Sequence, residues 1–191
     1  MINQNPIVMS RNYKFHNLDS WYFVSFATVF WISLFTRRLY KDCIVKHLKF
    51  CIEEKGMKLG AWVIMSNHLH FIFRVENSNP QRLLQSFKSS TAKELIHLIK
   101  ENKQESKKER YLWLMKLAAK RNKMTKNKFQ LWQHHNQPIE LWSNYAIDRN
   151  LSYIHNNPVK SGEVFEPAHY LYSSAVDYSG GKGLLEIYPL I

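Results

Sequence analysis

Two histidines separated by one apolar residue, His68-Leu69-His70, are the residues of this 191-residue chain whose types and spacing could most directly do chemistry together. The run around them, Trp62-Val63-Ile64-Met65-Ser66-Asn67-His68-Leu69-His70-Phe71-Ile72-Phe73, is β-branched and aromatic and is bounded by Gly60 and Arg74, which is the composition of a strand. Side chains alternate faces along a strand. His68 and His70 therefore project to one side, about 7 Å apart at the backbone, while Leu69 and Phe71 go to the other. Two imidazoles so placed can share one metal ion. A structural zinc site lacks support, because neither Cys43 nor Cys51 belongs to a C-x-x-C pair.

A second set of candidates stands near the end of the chain. Ile147, Leu151 and Ile154 recur at helical spacing, and the opposite face carries Ala146, Asn150, Tyr153 and Asn157. Tyr153 and Asn157, at i and i+4, are neighbours on that face. An amide oxygen is a neutral ligand for a hard cation, and a phenol beside it is a nucleophile able to attack a phosphate held on that cation. Pro158 is expected to end the helix, since the residue before a proline is pushed out of the α region.

The elements that must position these groups follow from the patterning. Residues 21–28 read as a first strand, and residues 41–55 as a helix with Ile44, Val45, Leu48, Cys51 and Ile52 on one face and Gly56 as its C-terminal glycine. A second strand over 59–65 returns through the Ser66-Asn67 turn as a third strand over 68–75. Asn79-Pro80 supplies a cap and a first-turn proline for a second helix running to about residue 101, and residues 129–132 read as a fourth strand. The order strand, helix, strand, strand, helix, strand predicts an α+β fold. It would be a ferredoxin-like, RRM-like split βαβ antiparallel sheet with helices on one or both faces, plus a basic helical insertion and a C-terminal tail. One domain is expected over 1–191, with a core at about 13–157 and a tail at 158–191.

The formal charge of +12, with a pI near 9.7, makes nucleic acid the first partner to test. Residues 100–128 hold eleven Lys and Arg against three Glu, two-thirds of the excess, and Tyr111, Leu112, Leu114, Met115 and Ala118 among them predict a basic amphipathic helical arm. Such an arm grips phosphates and carries little sequence information. Cys43 and Cys51, eight apart on a helix, cannot pair and read as reduced core thiols. The uncharged run 21–35 before Arg37-Arg38 is too short and too polar for a membrane span, and no signal peptide is expected, since Asn3, Gln4, Asn5 and Pro6 sit where an apolar region would be.

Three blocks together resemble the HUH single-tyrosine transposases of small bacterial insertion sequences, and more closely the REP-associated tyrosine transposases. They are Trp62 through His70, Tyr153-Ile154-His155-Asn156-Asn157-Pro158-Val159-Lys160-Ser161-Gly162, and Tyr170-Leu171-Tyr172-Ser173-Ser174-Ala175. The resemblance covers about residues 13–187. It departs at Ser66, where relatives commonly carry proline, which implies a looser hairpin with intact ligands, and at Asn157, where many carry glutamine.

The resemblance implies that His68, His70 and Asn157 hold Mg²⁺ or Mn²⁺ and that Tyr153 attacks single-stranded DNA. The product would be a 5′-phosphotyrosine link and a free 3′-OH. It also implies recognition of a DNA hairpin with a flanking guide sequence, in the cytoplasm beside the nucleoid, by a monomer or a homodimer. Lys160, Arg121, Lys123, Lys126 and Lys128 are the candidates for DNA contacts, and Tyr170 and Tyr172 for base stacking or core packing. A non-catalytic nucleic-acid hairpin-binding protein is the alternative, since a sheet with a basic arm suffices to bind.

Overall fold

The computed structural model describes residue 15 and residues 17–76, 78–122, 127–134 and 138–190. A four-stranded antiparallel sheet runs in the order β2-β3-β1-β4, with β1 at Tyr22–Ala27, β2 at Met57–Ile64, β3 at His68–Val75 and β4 at Ile139–Glu140. This is the expected α+β arrangement, with the third strand starting on His68. Its helices are α1 at Arg38–Lys55, α2 at Pro80–Glu101, α3 at Lys108–Arg121, α4 at Asn144–Lys160 and the single turn α5 at Ala175–Tyr178.

The register decides what each face of the sheet does. His70 lies opposite Ser25 and Ile72 opposite Phe23, so these four share a face; Phe71 opposite Val24 and Leu69 opposite Phe26 share the other. The second face packs against α2, where Phe87 meets the rings of Phe26 and Phe71. The first face receives α4, whose Tyr153 meets Phe23 and His70. Covered on both sides, β3 is buried through most of its length, which is why its sequence is a nearly continuous apolar run.

Local signals set the helix ends. Gly56 closes α1 with φ 66°, a left-handed conformation that costs glycine nothing. A side chain there would also strike the Glu76 carbonyl. Asn79 Oδ1 accepts the Arg82 N–H at 3.1 Å and Pro80 opens α2. The basic arm is α3, with Tyr111, Met115, Ala118 and Ala119 buried and its cations outside. It is moored by the buried Glu105 carboxylate, which accepts from Arg37 Nε at 2.6 Å and Tyr40 Oη at 3.2 Å, and by Tyr111 Oη donating to Ser33 O.

Two expectations need correction. The fourth strand is not at 129–132: Trp132 makes an isolated bridge to Thr28, and the ladder forms at Ile139–Glu140 against Phe23 and Tyr22. Both contacts lie on the same edge of β1, the bridge just past its end at Thr28 and the ladder at Tyr22 and Phe23. Second, α4 continues through Pro158 to Lys160. A proline lacks one N–H and crowds the preceding turn. Here it falls in the last turn with its ring buried, and Ser161 N–H still reaches Asn157 O at 3.0 Å. Of the two readings open for Tyr170 and Tyr172, base stacking or core packing, the structure has core packing for both. Tyr170 and Tyr172 are buried, with their hydroxyls on Ile64 O and Asp42 Oδ1.

The tail instead covers the outer edge of the sheet. Ile64 N–H reaches Tyr172 O, Ser174 N–H reaches Trp62 O, and Tyr188 N–H reaches Leu59 O, so β2 does not present a free edge. At Gly60, a bulge in β2, Leu190 and Trp21 occupy the space a Cβ would need.

Candidate active site

The hairpin between β2 and β3 is a two-residue turn closed by Met65 N–H to His68 O at 2.8 Å. Its carbonyls are taken by the neighbouring chain: Ser66 O accepts from Phe35 N–H and Asn67 O from Thr28 N–H and Oγ1. The turn is therefore tied down without a proline at Ser66.

Asn67 adjoins the candidate ligands and is not singled out by motif spacing. Its Oδ1 lies 2.6 Å from His68 Nδ1, and its Nδ2 donates to Trp31 O at 3.4 Å. The second bond fixes which end of the amide faces the ring. His68 therefore carries its proton on Nδ1, and Nε2 keeps a lone pair for a ligand. The available signal was adjacency, since Asn67 immediately precedes His68 within the quoted block.

His70 is 5 % exposed and stacks on Phe23, ring centroids 5.3 Å apart. Burial, with His68 4.8 Å away, pushes its pKa down to about 3. Burial also lowers the His68 pKa, and the Asn157 side chain acts on the same ring in the opposite sense. Both imidazoles are thus neutral at physiological pH, the form that ligates a metal. Among the described residues the histidine–carboxylate pairs are His47–Glu94 and His169–Glu166, so neither His68 nor His70 faces a carboxylate.

Helix α4 brings the other two candidates to the same place. Ser143 Oγ caps it by accepting the Ala146 N–H, and Ile147, Ile154 and Pro158 are its buried stripe. The adjoining face, one residue away from that stripe, brings Tyr153 to β3, where its hydroxyl lies 3.4 Å from His70 Nε2 while the residue stays 42 % exposed. Next to it, His155 Nε2 bonds Ser174 Oγ at 2.9 Å and burial lowers its pKa to about 4. That bond ties α4 to the tail.

The donor set fits a hard divalent cation through His68, His70 and Asn157. Two neutral rings and an amide converge, and His70 Nδ1 is buried with no hydrogen-bond partner. The set carries no negative charge of its own. A separate group, Cys43, His47 and Glu94, also brings three ligand atoms within 4.8 Å of one another at the α1–α2 contact. There Glu94 is engaged by Lys46 and His47, both at 2.8 Å, and burial raises the Cys43 thiol to about 12, so the group is a charge-paired cluster.

The basic candidates are spread. Lys160 ends α4, Arg121 ends α3 with its guanidinium 5.6 Å from the Phe30 ring, and Lys128 stands 6.0 Å from the Phe129 ring. Lys123 and Lys126 lie outside the described residues. None of the described helices is long and apolar enough to cross a membrane, and the run 21–35 forms β1 and two short 3₁₀ turns.

Comparison with known proteins gives two similarities. Residues 24–121 match the family model described as "Transposase IS200 like". The fold is similar to a solved structure titled "Structure of the REP associates tyrosine transposase bound to a REP hairpin", at 14% identity and a TM-score of 0.55, over 96% of this chain and 94% of that one. No curated protein matches the chain.

Proposed function

Because the chain belongs to the IS200-like transposases, enzymes that cut and rejoin DNA, we propose that it cleaves and rejoins single-stranded DNA at a hairpin with Tyr153 as nucleophile. One observation carries this: within a single chain the Tyr153 hydroxyl meets His70 Nε2 at 3.4 Å, with His68 and Asn157 alongside. One copy thus holds both halves of the site, which favours a tyrosine acting on its own chain's histidines. The solved relative is bound to a REP hairpin, and a hairpin of that kind is the proposed substrate here.

In the cutting step the Tyr153 oxygen bonds to phosphorus as the bond to the 3′ oxygen breaks. The phenol gives up one proton and the leaving 3′ oxygen gains one, so no net proton is consumed. The phosphodiester energy is kept in the 5′-phosphotyrosine link, and rejoining runs the same exchange backwards without ATP. His68, His70 and Asn157 would hold Mg²⁺ or Mn²⁺, which supplies a Lewis acid for a phosphate oxygen. Asn67 keeps the His68 ring turned toward that position. Phe23 packs His70 and Tyr153 against each other and keeps bulk water from their buried sides. Lys160, Arg121, Lys123, Lys126 and Lys128 would contact phosphates.

The test is incubation of 3′-end-labelled hairpin DNA with the protein and Mn²⁺. Cleavage with label retained on denatured protein is expected for the native chain and not for Tyr153→Phe. Unchanged cleavage by Tyr153→Phe overturns the nucleophile assignment, and hairpin binding without any cleavage leaves a binding protein.

A further inference from the structure

We propose that the Phe30–Trp31 corner, with the basic groove behind it, is a stacking site for the unpaired nucleotides adjoining the scissile phosphate. The proposal rests on the function proposed for the His68/His70 site.

The corner is strained. Phe30 and Trp31 have φ 52° and 53°, and no other described residue except glycine has a positive φ. Two successive aromatic residues in the left-handed region are unfavourable, because each Cβ crowds the following carbonyl. The conformation persists because the surroundings dictate it. The buried Thr28 directs Oγ1 at Ile32 O and Asn67 O, Val29 N–H is held by Leu131 O at 2.7 Å, and Trp31 N–H by Thr28 O at 3.1 Å. Strain held in place this way concentrates at functional sites.

What the strain achieves is an outward turn of two rings. Val29 and Ile32 stay buried, whereas Phe30 is 41% and Trp31 56% exposed. The Trp31 indole stands edge-on to His68 at 6.1 Å, so an exposed aromatic surface borders the proposed metal ligand. On its other side the corner lines a groove of about 320 Å³ against α3, where Lys107 and Arg110 form the opposite wall. Arg121 completes the set over the Phe30 ring, and all three cations are exposed. Among the described residues no carboxylate pairs with any of them within ion-pair distance.

Aromatic platforms flanked by unpaired cations match single-stranded nucleic acid, which offers a base face to stack and a phosphate to neutralise at every step. A protein partner would be served by the rings but not by the cation wall. Position selects the segment: a strand leaving a phosphate at His68 passes Trp31 before it reaches α3.

The experiment uses the cleavage-inert Tyr153→Phe protein and a hairpin whose unpaired flank carries 2-aminopurine at successive positions. Quenching is expected at one or two flank positions and at none in the stem. Trp31→Ala should abolish that quenching and weaken binding of the flanked hairpin about tenfold, with a blunt hairpin lacking the flank bound as before. Trp31→Phe should restore most of both. The Asn67 bond goes to the Trp31 backbone, so these replacements leave the support of His68 intact. Unchanged quenching in Trp31→Ala, or equal loss for flanked and blunt hairpins, overturns the proposal while the catalytic site stands. Failure of the Tyr153→Phe parent to bind any hairpin overturns both.

Discussion

Replacing Asn67 by alanine isolates the part of the site that orients His68. The change removes the 2.6 Å bond to His68 Nδ1 and the 3.4 Å bond to Trp31 O, and it leaves the Asn67 carbonyl that secures Thr28. The short, half-buried bond is worth about 1 kcal/mol net. Loss of an outer partner of a ligating histidine typically costs 10–100-fold in metal affinity or activity. The lower end applies here, about tenfold, because the site is open enough for water to replace part of the lost bonding. The assay is the Mn²⁺ concentration giving half-maximal strand cleavage. It should rise about tenfold in Asn67→Ala, with the rate recovered at saturating Mn²⁺, since Tyr153 is untouched. Asn67→Asp keeps the acceptor and should stay near the parent. An Asn67→Ala protein with the parent's Mn²⁺ requirement refutes the role given to this amide.

Other outcomes follow from the same geometry. Three uncharged ligands leave the cation short of negative charge, so Mn²⁺ should bind more tightly to protein carrying a hairpin than to free protein. Equal affinities in calorimetry would count against substrate phosphate as the missing ligand. Chelation with EDTA should stop cleavage and leave hairpin binding within a few-fold, read by gel shift, because phosphate contacts to α3 do not need the ion. Acid should destabilise the fold. His155 is held neutral with a folded pKa of about 4 against an unfolded value of 6.5, so the unfolded chain takes up the proton first. Stability is full above 6.5 and falls as pH drops toward 4, by about 2 kcal/mol at pH 5 from this residue. Urea unfolding of His155→Gln at pH 8 and pH 5 should show a correspondingly smaller difference, and an unchanged difference would contradict the assignment.

Much of the architecture could be read from residue order, because local rules and tertiary packing agree there. Gly56, Asn79 and Pro80 punctuate helices where each is independently the preferred residue, and His68–Val75 is a strand whichever face is inward. The failures have physical causes. Residues 129–132 have strand composition because Leu131 and Trp132 are buried, yet burial came from docking on Thr28 and Thr91, while the actual ladder fell to Ile139–Glu140, which carries no alternating pattern. Pro158 looked like a stop because local sterics say so, and packing of its ring overrode them. Of the site, His68, His70, Tyr153 and Asn157 could be named from the motifs and do converge. Asn67, Phe23 and the Trp31 corner could not, since their roles depend on an amide orientation, a cross-strand register and a left-handed backbone that no spacing rule encodes.

The decisive measurement is peptide mapping of the covalent adduct. After reaction of the native protein with hairpin DNA and Mn²⁺, trypsin should release residues 150–160, a peptide holding Tyr153 as its sole tyrosine. Mass spectrometry should find that peptide carrying the 5′-phosphorylated DNA remnant, with a free 3′-OH on the other fragment. A modified peptide elsewhere, a 3′-phosphate linkage, or cleavage with no covalent peptide would contradict Tyr153 as the nucleophile.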